Sequence, residues 1–184
     1  MNVTANTNRT SNRNSKKAIS VFLVDDDNIF LKSLEHHLQQ KLKHNFKIKS
    51  FSTGEACFKN MEQKPNIVVL DYFLNAEDQH AMNGVHMLEK IKLTNPDTAV
   101  IMLSGQGKMQ IAVDSMKYGA IDYVVKNENV FLLAQNAIIN AVSSLEMSKE
   151  VKLYKRLLWL LSIGITIVVV ITLVIQFFFP QLYH

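Results

Sequence analysis

Residues 19–27 read ISVFLVDDD, a mainly apolar, β-branched run that passes without a break into three aspartates. An apolar run this short, closed by polar residues, is expected as a strand buried on both faces of a parallel sheet. The same design recurs along the chain. Ile67–Leu70 runs into Asp71, Ala99–Leu103 into Ser104, and Ile121–Val125 into Lys126. Phe46–Phe51 alternates polar and apolar residues instead, which predicts an edge strand. Helical spacing fills the intervals. Leu31, Leu34, Leu38 and Leu42 step by three and four, Val85, Leu88 and Ile91 precede Pro96, and Met109–Met116 forms a further helix. A last helix starts near Asn129. Five strands alternating with helices predict an α/β domain built on a doubly wound parallel sheet, with functional groups gathered at the carboxyl ends of its strands.

Asp25, Asp26, Asp27, Asp71, Ser104 and Lys126 would then share one rim, although up to about 100 residues separate them in sequence. Each has an ordinary explanation alone, as a helix cap or a solvated lysine. Together they form a chemical set. Clustered carboxylates repel and are held ionised by a cation, and an oxygen-only donor set suits Mg²⁺. One carboxylate oxygen could attack phosphorus while the lysine neutralises phosphoryl oxygens and the serine hydroxyl binds the transferred group. The product would be an acyl phosphate, a change of charge that a two-state element can read.

Outward from this middle the composition changes. Residues 1–17 are Asn, Thr and Ser with four cations and almost nothing apolar, and are expected to be a disordered polar tail. From Leu157 to Phe179 no residue is charged. As a helix that stretch is about 35 Å long, enough to cross a bilayer core. Residues 148–156 form a basic juxtamembrane helix containing Lys149, Lys152, Lys155 and Arg156, and only residues 180–184 follow the span. That asymmetry places the amino-terminal bulk in the cytoplasm and 180–184 outside, as a single-pass tail anchor in the cytoplasmic membrane. The fifth helix would run within about ten residues into the span, so no DNA-binding or enzymatic output domain is expected. The chain carries +4 overall, but the two flanking basic segments carry +7, which leaves the middle at −3 and argues against nucleic acid as partner. A single cysteine, Cys57, excludes an internal disulfide and a multi-cysteine zinc site, and is expected to be a small buried hydrophobe.

The segments VFLVDDDNIFLKSL, NIVVLDYF, VIMLSG and GAIDYVVK resemble, in order and spacing, the signature segments of the receiver domain of two-component response regulators. The resemblance spans residues 18–147 and implies a flavodoxin-like, doubly wound five-stranded sheet. It implies Asp71 as phosphoacceptor, Asp25 and Asp26 as the pair holding Mg²⁺ together with Asp71, and the backbone carbonyl of Phe73 as a further metal ligand. It implies Ser104 as switch hydroxyl, Lys126 as the phosphoryl-binding lysine and Tyr123 as the aromatic whose rotamer follows activation. A histidine kinase or histidine phosphotransfer protein would supply the phosphoryl group, and output would be a protein contact or onward transfer. No enzymatic activity is implied beyond self-phosphorylation and autodephosphorylation.

Three departures stand out. Met82-Asn83-Gly84 keeps the turn that follows the acceptor, but Gly84 lies further past Asp71 than in the family pattern, and the inserted LNAEDQHA adds Glu77, Asp78 and His80. Asn127 stands where the family usually has a cis-proline, so a trans peptide is expected after Lys126, a non-proline cis bond costing about 2.5–4 kcal/mol. Gly105 replaces a small alanine. His36 and His37, in mid-helix, are expected to be solvated. The alternative function is a membrane-anchored adaptor that keeps the fold without phosphate control. A dehalogenase-like phosphatase would need an acidic pair after Lys126, where only Glu128, Glu146 and Glu150 remain, and a flavin site would not tolerate three aspartates beside a phosphate. Homodimerisation is open, but Ser162, Gly164 and Thr166 lack the four-residue spacing of a close-packed helix pair.

Overall fold

The computed structural model describes residues 18–42, 45–74, 84–105, 107 and 109–178. The expected polar tail, the insertion with Met82 and Asn83, and the residues after the span lie outside the described residues. The elements run β1 (Ile19–Val24), α1 (Asn28–Lys41), β2 (Phe46–Phe51), α2 (Gly54–Lys59), a 3₁₀ turn (Met61–Gln63), β3 (Ile67–Asp71), α3 (Gly84–Thr94), β4 (Ala99–Ser104), α4 (Met109–Lys117), β5 (Asp122–Val125) and α5 (Val130–Phe178). The chain divides into two units, Met1–Ile138 and Ile139–His184.

In the first unit all five strands are parallel, in the order β2-β1-β3-β4-β5. The winding reverses between β1 and β3, which opens a crevice at their carboxyl ends. The apolar runs are strands because both faces are covered. β3 and β4 are buried along their whole length, whereas edge strand β2 alternates as its sequence does. Phe22, Val24, Val68, Leu70, Val100 and Met102 face one side and pack with Cys57, Met61, Met87, Leu88 and Ile91 from α2, the 3₁₀ turn and α3. Residues of opposite parity face the other side. α1 and α5 meet there, the His37 ring bonding to Gln135 at 3.0 Å. Three strand limits shift by one residue. Asp71 pairs with Leu103 and Ser104 with Val125, so β3 and β4 carry their polar residues inside the ladder. β5 starts at Asp122, because Ile121 gives its N–H to Val100 ahead of the ladder.

Among the described residues the second unit is the remainder of α5. Every described side chain from Leu153 to Ile171 is exposed, on all faces of the helix. By length and composition this is the one helix among the described residues able to cross a membrane.

Candidate functional site

β1 and β3 are neighbours with Val24 opposite Leu70, so Asp25 and Asp71, one residue further along each, stand side by side. Both are buried. Lys126 follows β5, two strands away. Its N–H donates to the Ser104 carbonyl at 2.8 Å, fixing the backbone, and its side chain reaches back across β4. Nζ lies 2.7 Å from Asp25 Oδ2 and 2.9 Å from Asp71 Oδ1. Asp26 is exposed and completes the cluster, with one oxygen from each of Asp25, Asp26 and Asp71 lying within 4.8 Å of the others. The third aspartate does something else. Asp27 Oδ1 accepts the N–H groups of Ile29 (2.9 Å) and Phe30 (3.1 Å), capping α1, while its own N–H donates to Asp25 Oδ1 at 3.1 Å. One run of three identical residues thus divides into two site carboxylates and one helix cap.

The electrostatics are unbalanced, with three carboxylates facing one ammonium. Burial pushes Asp25 up from 3.8 to about 6, with the Asp71 charge adding to the rise and Lys126 opposing it. Burial likewise raises Asp71, with Asp26 adding and Lys126 opposing. Burial also disfavours the lysine's charge, yet Asp71 and Asp25 more than offset this and hold Lys126 above its ordinary value. Asp25 Oδ2 and Asp71 Oδ1, the two oxygens nearest the ammonium, have no polar partner besides Lys126 among the described residues. The ammonium is in charge-assisted hydrogen-bond range of both, and each carboxylate keeps further acceptor capacity. Buried carboxylate oxygens with spare acceptor capacity and a raised pKa fit a hard, oxygen-seeking divalent cation.

Ser104 is fully buried at the end of β4, beside Asp71 on the adjoining strand. Tyr123 is half-buried and packs against the core cluster. Phe73 lies in the turn after β3, its ring edge-on to that of Tyr72 at 4.7 Å. Asp25, Asp26, Asp71, Ser104 and Lys126 therefore collect at the carboxyl ends of β1, β3, β4 and β5, while Tyr123, the second residue of β5, lies further back along its strand.

Other contributors were not legible beforehand. Lys126 Nζ sits 4.7 Å over the Phe30 ring, a cation–π contact that steadies the lysine from α1. Phe30 packs on Phe131 of α5 at 5.5 Å, and Phe131 on His37 at 5.7 Å. His37 is thus half-buried and bonded across to α5, a correction to its expected solvation; His36 is exposed and bonds Gln40 within α1. A Cβ on Gly84 would overlap the Asp71 carbonyl oxygen and fall 2.7 Å from Tyr72 Cα, so only glycine lets α3 start against the Asp71–Tyr72 backbone. No cis peptide occurs among the described residues. Asn127 donates its N–H to the Val125 carbonyl at 2.9 Å, closing a three-residue turn around Lys126, and its Oδ1 accepts from Asn129 N–H at 2.9 Å.

Comparison with known proteins agrees with this geometry. The family model for the response regulator receiver domain matches residues 21–137. The photosynthetic apparatus regulatory protein RegA of Rhodobacter capsulatus is 33% identical over 107 residues, covering 58% of this chain and 54% of RegA. The nitrogen assimilation regulatory protein NtrX of Azorhizobium caulinodans is 31% identical over 98 residues, 52% of this chain and 20% of NtrX. The chain therefore spans about half the length of one relative and a fifth of the other. Among solved structures, the BeF3-activated receiver domain of DrrB is 30% identical with a TM-score of 0.58, covering 68% of this chain and 98% of that one. The chain belongs to the response regulator receiver domain family of two-component systems.

Proposed function

We propose that this protein is a membrane-anchored phosphorylation switch in which Asp71 accepts a phosphoryl group from a histidine kinase or a histidine phosphotransfer protein. The observation that carries the reading is the Lys126 ammonium held close to both Asp25 and Asp71, at 2.7 and 2.9 Å. An Asp71 oxygen attacks phosphorus, the P–N bond to the donor histidine breaks, and the imidazole leaves with the electron pair. Lys126 exchanges part of its hold on the carboxylates for the phosphoryl oxygens, and the Ser104 hydroxyl donates to the new group. Asp25, Asp26, Asp71 and the Phe73 carbonyl would hold Mg²⁺, which supplies the positive charge that keeps the acids ionised and offsets charge on the phosphoryl oxygens. Water later cleaves the acyl phosphate and returns Asp71. Tyr123 reports the change through its packing.

The anchoring half of the proposal rests on the second unit. A helix apolar and exposed on every face is stable only where hydrocarbon surrounds it. The basic residues before it favour the cytoplasmic side for the receiver unit.

The test uses a fragment ending at Ser148, incubated with Mg²⁺ and acetyl phosphate, read by intact mass. One added phosphoryl group in wild type and none in Asp71→Asn supports the switch. A folded fragment that takes up neither phosphate nor beryllium fluoride, the reagent bound to DrrB, overturns it in favour of a phosphate-independent adaptor.

A further inference from the structure

Between the receiver unit and the apolar run, α5 carries a pattern that membrane anchoring alone leaves unexplained. Over residues 146–156 the charged residues are Glu146, Lys149, Glu150, Lys152, Lys155 and Arg156. Laid on a seven-residue repeat, they occupy five of the seven positions. The two positions left uncharged hold Met147, Val151 and Tyr154, spaced four and then three apart, and Leu158 continues the series. This is the spacing of the a/d positions of a coiled coil, and no other register of this segment is free of charge. The four side chains are open to solvent, at 62%, 52%, 65% and 66% exposure. Met147 and Val151 stand about 15 and about 9 Å before the first residue of the apolar run, so lipid tails do not cover them.

From this pattern we infer that Met147, Val151, Tyr154 and Leu158 form a parallel seam with the same residues of a second copy of this chain. The inference rests on the anchoring proposed above. Two copies inserted through the same carboxyl-terminal helix point the same way, so their α5 helices meet parallel and in register. Charge complementarity favours a second copy over another apolar partner. The register puts Glu150 at position g and Lys155 at position e, five residues apart, the two positions that face each other across a parallel pair. Each dimer would carry this opposite-charge match twice, and no like-charge match at those positions. Confinement to a bilayer raises the effective concentration of the helices, which a seam of two heptads needs.

The experiment uses the full chain in membranes of the expressing cells. Single cysteines replace Met147, Val151 or Tyr154 on the seam, and Lys149, Leu153 or Arg156 off it. Copper-phenanthroline oxidation is followed by non-reducing electrophoresis, with wild type, whose Cys57 is buried, as control. Dimer yield should be at least about fivefold higher at the three seam positions, since only there do the two thiols approach bonding distance. Glu150→Lys in the Val151→Cys background should lower that yield about threefold, as two ion pairs become repulsions, and adding Lys155→Glu should restore it. Equal yields at all six positions, no dimer, a maximum on another face, or cross-linking to a different protein would each overturn the seam. A parallel wash in alkaline carbonate separates the two readings. Release of the chain refutes the anchor whatever the pattern, and a retained chain without the pattern refutes the seam alone.

Discussion

Asp25→Asn should stabilise the protein in the absence of divalent cations, although it removes a partner of the most prominent ion pair. Asp25 is buried and its carboxyl is raised from 3.8 to about 6, chiefly by burial and further by Asp71. Two pKa units correspond to about 3 kcal/mol by which the ionised form is disfavoured on folding. The amide keeps the acceptor for the Asp27 N–H, and the Lys126 contact it gives up is already contained in that shift, but its own N–H groups would face the ammonium and reduce the gain. The net gain should therefore be about 1–2 kcal/mol at neutral pH. The sign with pH follows from the direction of the shift. A carboxyl whose folded pKa lies above its unfolded one penalises the fold fully above about pH 6, and the penalty is relieved as pH falls towards 4. Wild type in EDTA should therefore gain stability from pH 7 down to pH 5, and Asp25→Asn should gain less. The assay is urea unfolding of the fragment ending at Ser148, followed by circular dichroism in EDTA and again in Mg²⁺. Added Mg²⁺ should stabilise wild type and do little for the variant. A variant less stable than wild type in EDTA at neutral pH would refute the reasoning, because the lysine would then outweigh desolvation and repulsion.

Further outcomes are expected at Gly84, Phe30 and Cys57. Gly84→Ala should cost about 1–3 kcal/mol and slow labelling by acetyl phosphate, since the new Cβ meets backbone that must shift. Unchanged urea unfolding would show that α3 can move away. Phe30→Ala should destabilise the fragment by about 1–2 kcal/mol, through loss of its ring contacts with Lys126 and Phe131, and should lower the labelling rate. Ile29→Ala, at a site 81% exposed, should be neutral in the same urea unfolding. Burial pushes the Cys57 thiol up to about 12, so native protein at pH 8 should resist iodoacetamide and react only through unfolding. Above about pH 9 the unfolded thiol ionises while the folded one stays neutral, so this residue should draw stability down as pH rises towards 12, and a Cys57→Ala variant should show a shallower decline.

The strands were legible because a parallel strand buried on both faces is a short apolar run, and each run here ends on the residue that matters. Asp71, Lys126 and Ser104 could be placed on one rim from that alone. The pairing of Asp25 with Asp26 came only from the family resemblance, and the part of Asp27 as the cap of α1 needed the structure, because three identical side chains differ only in where the turn into α1 points them. Gly84 was visible as a turn residue, but its reason, the Asp71 carbonyl standing where a Cβ would go, needs the folded backbone. The His37–Gln135 bond joins two helices far apart in sequence, and nothing in either helix's periodicity signals it. His37 therefore read as a surface histidine.

The Gly84 N–H donates to the Tyr72 carbonyl at 3.0 Å, and Leu74, at the other end of the same stretch, is buried. The ends of the insertion are thereby clamped together at their base, beside Asp71. Lengthening a stretch whose ends are tied in this way costs only about 0.6 kcal/mol per doubling. The segment is a port for engineering. A peptide epitope or fluorophore spliced between Leu74 and Gly84 should leave the sheet and its rim as they are.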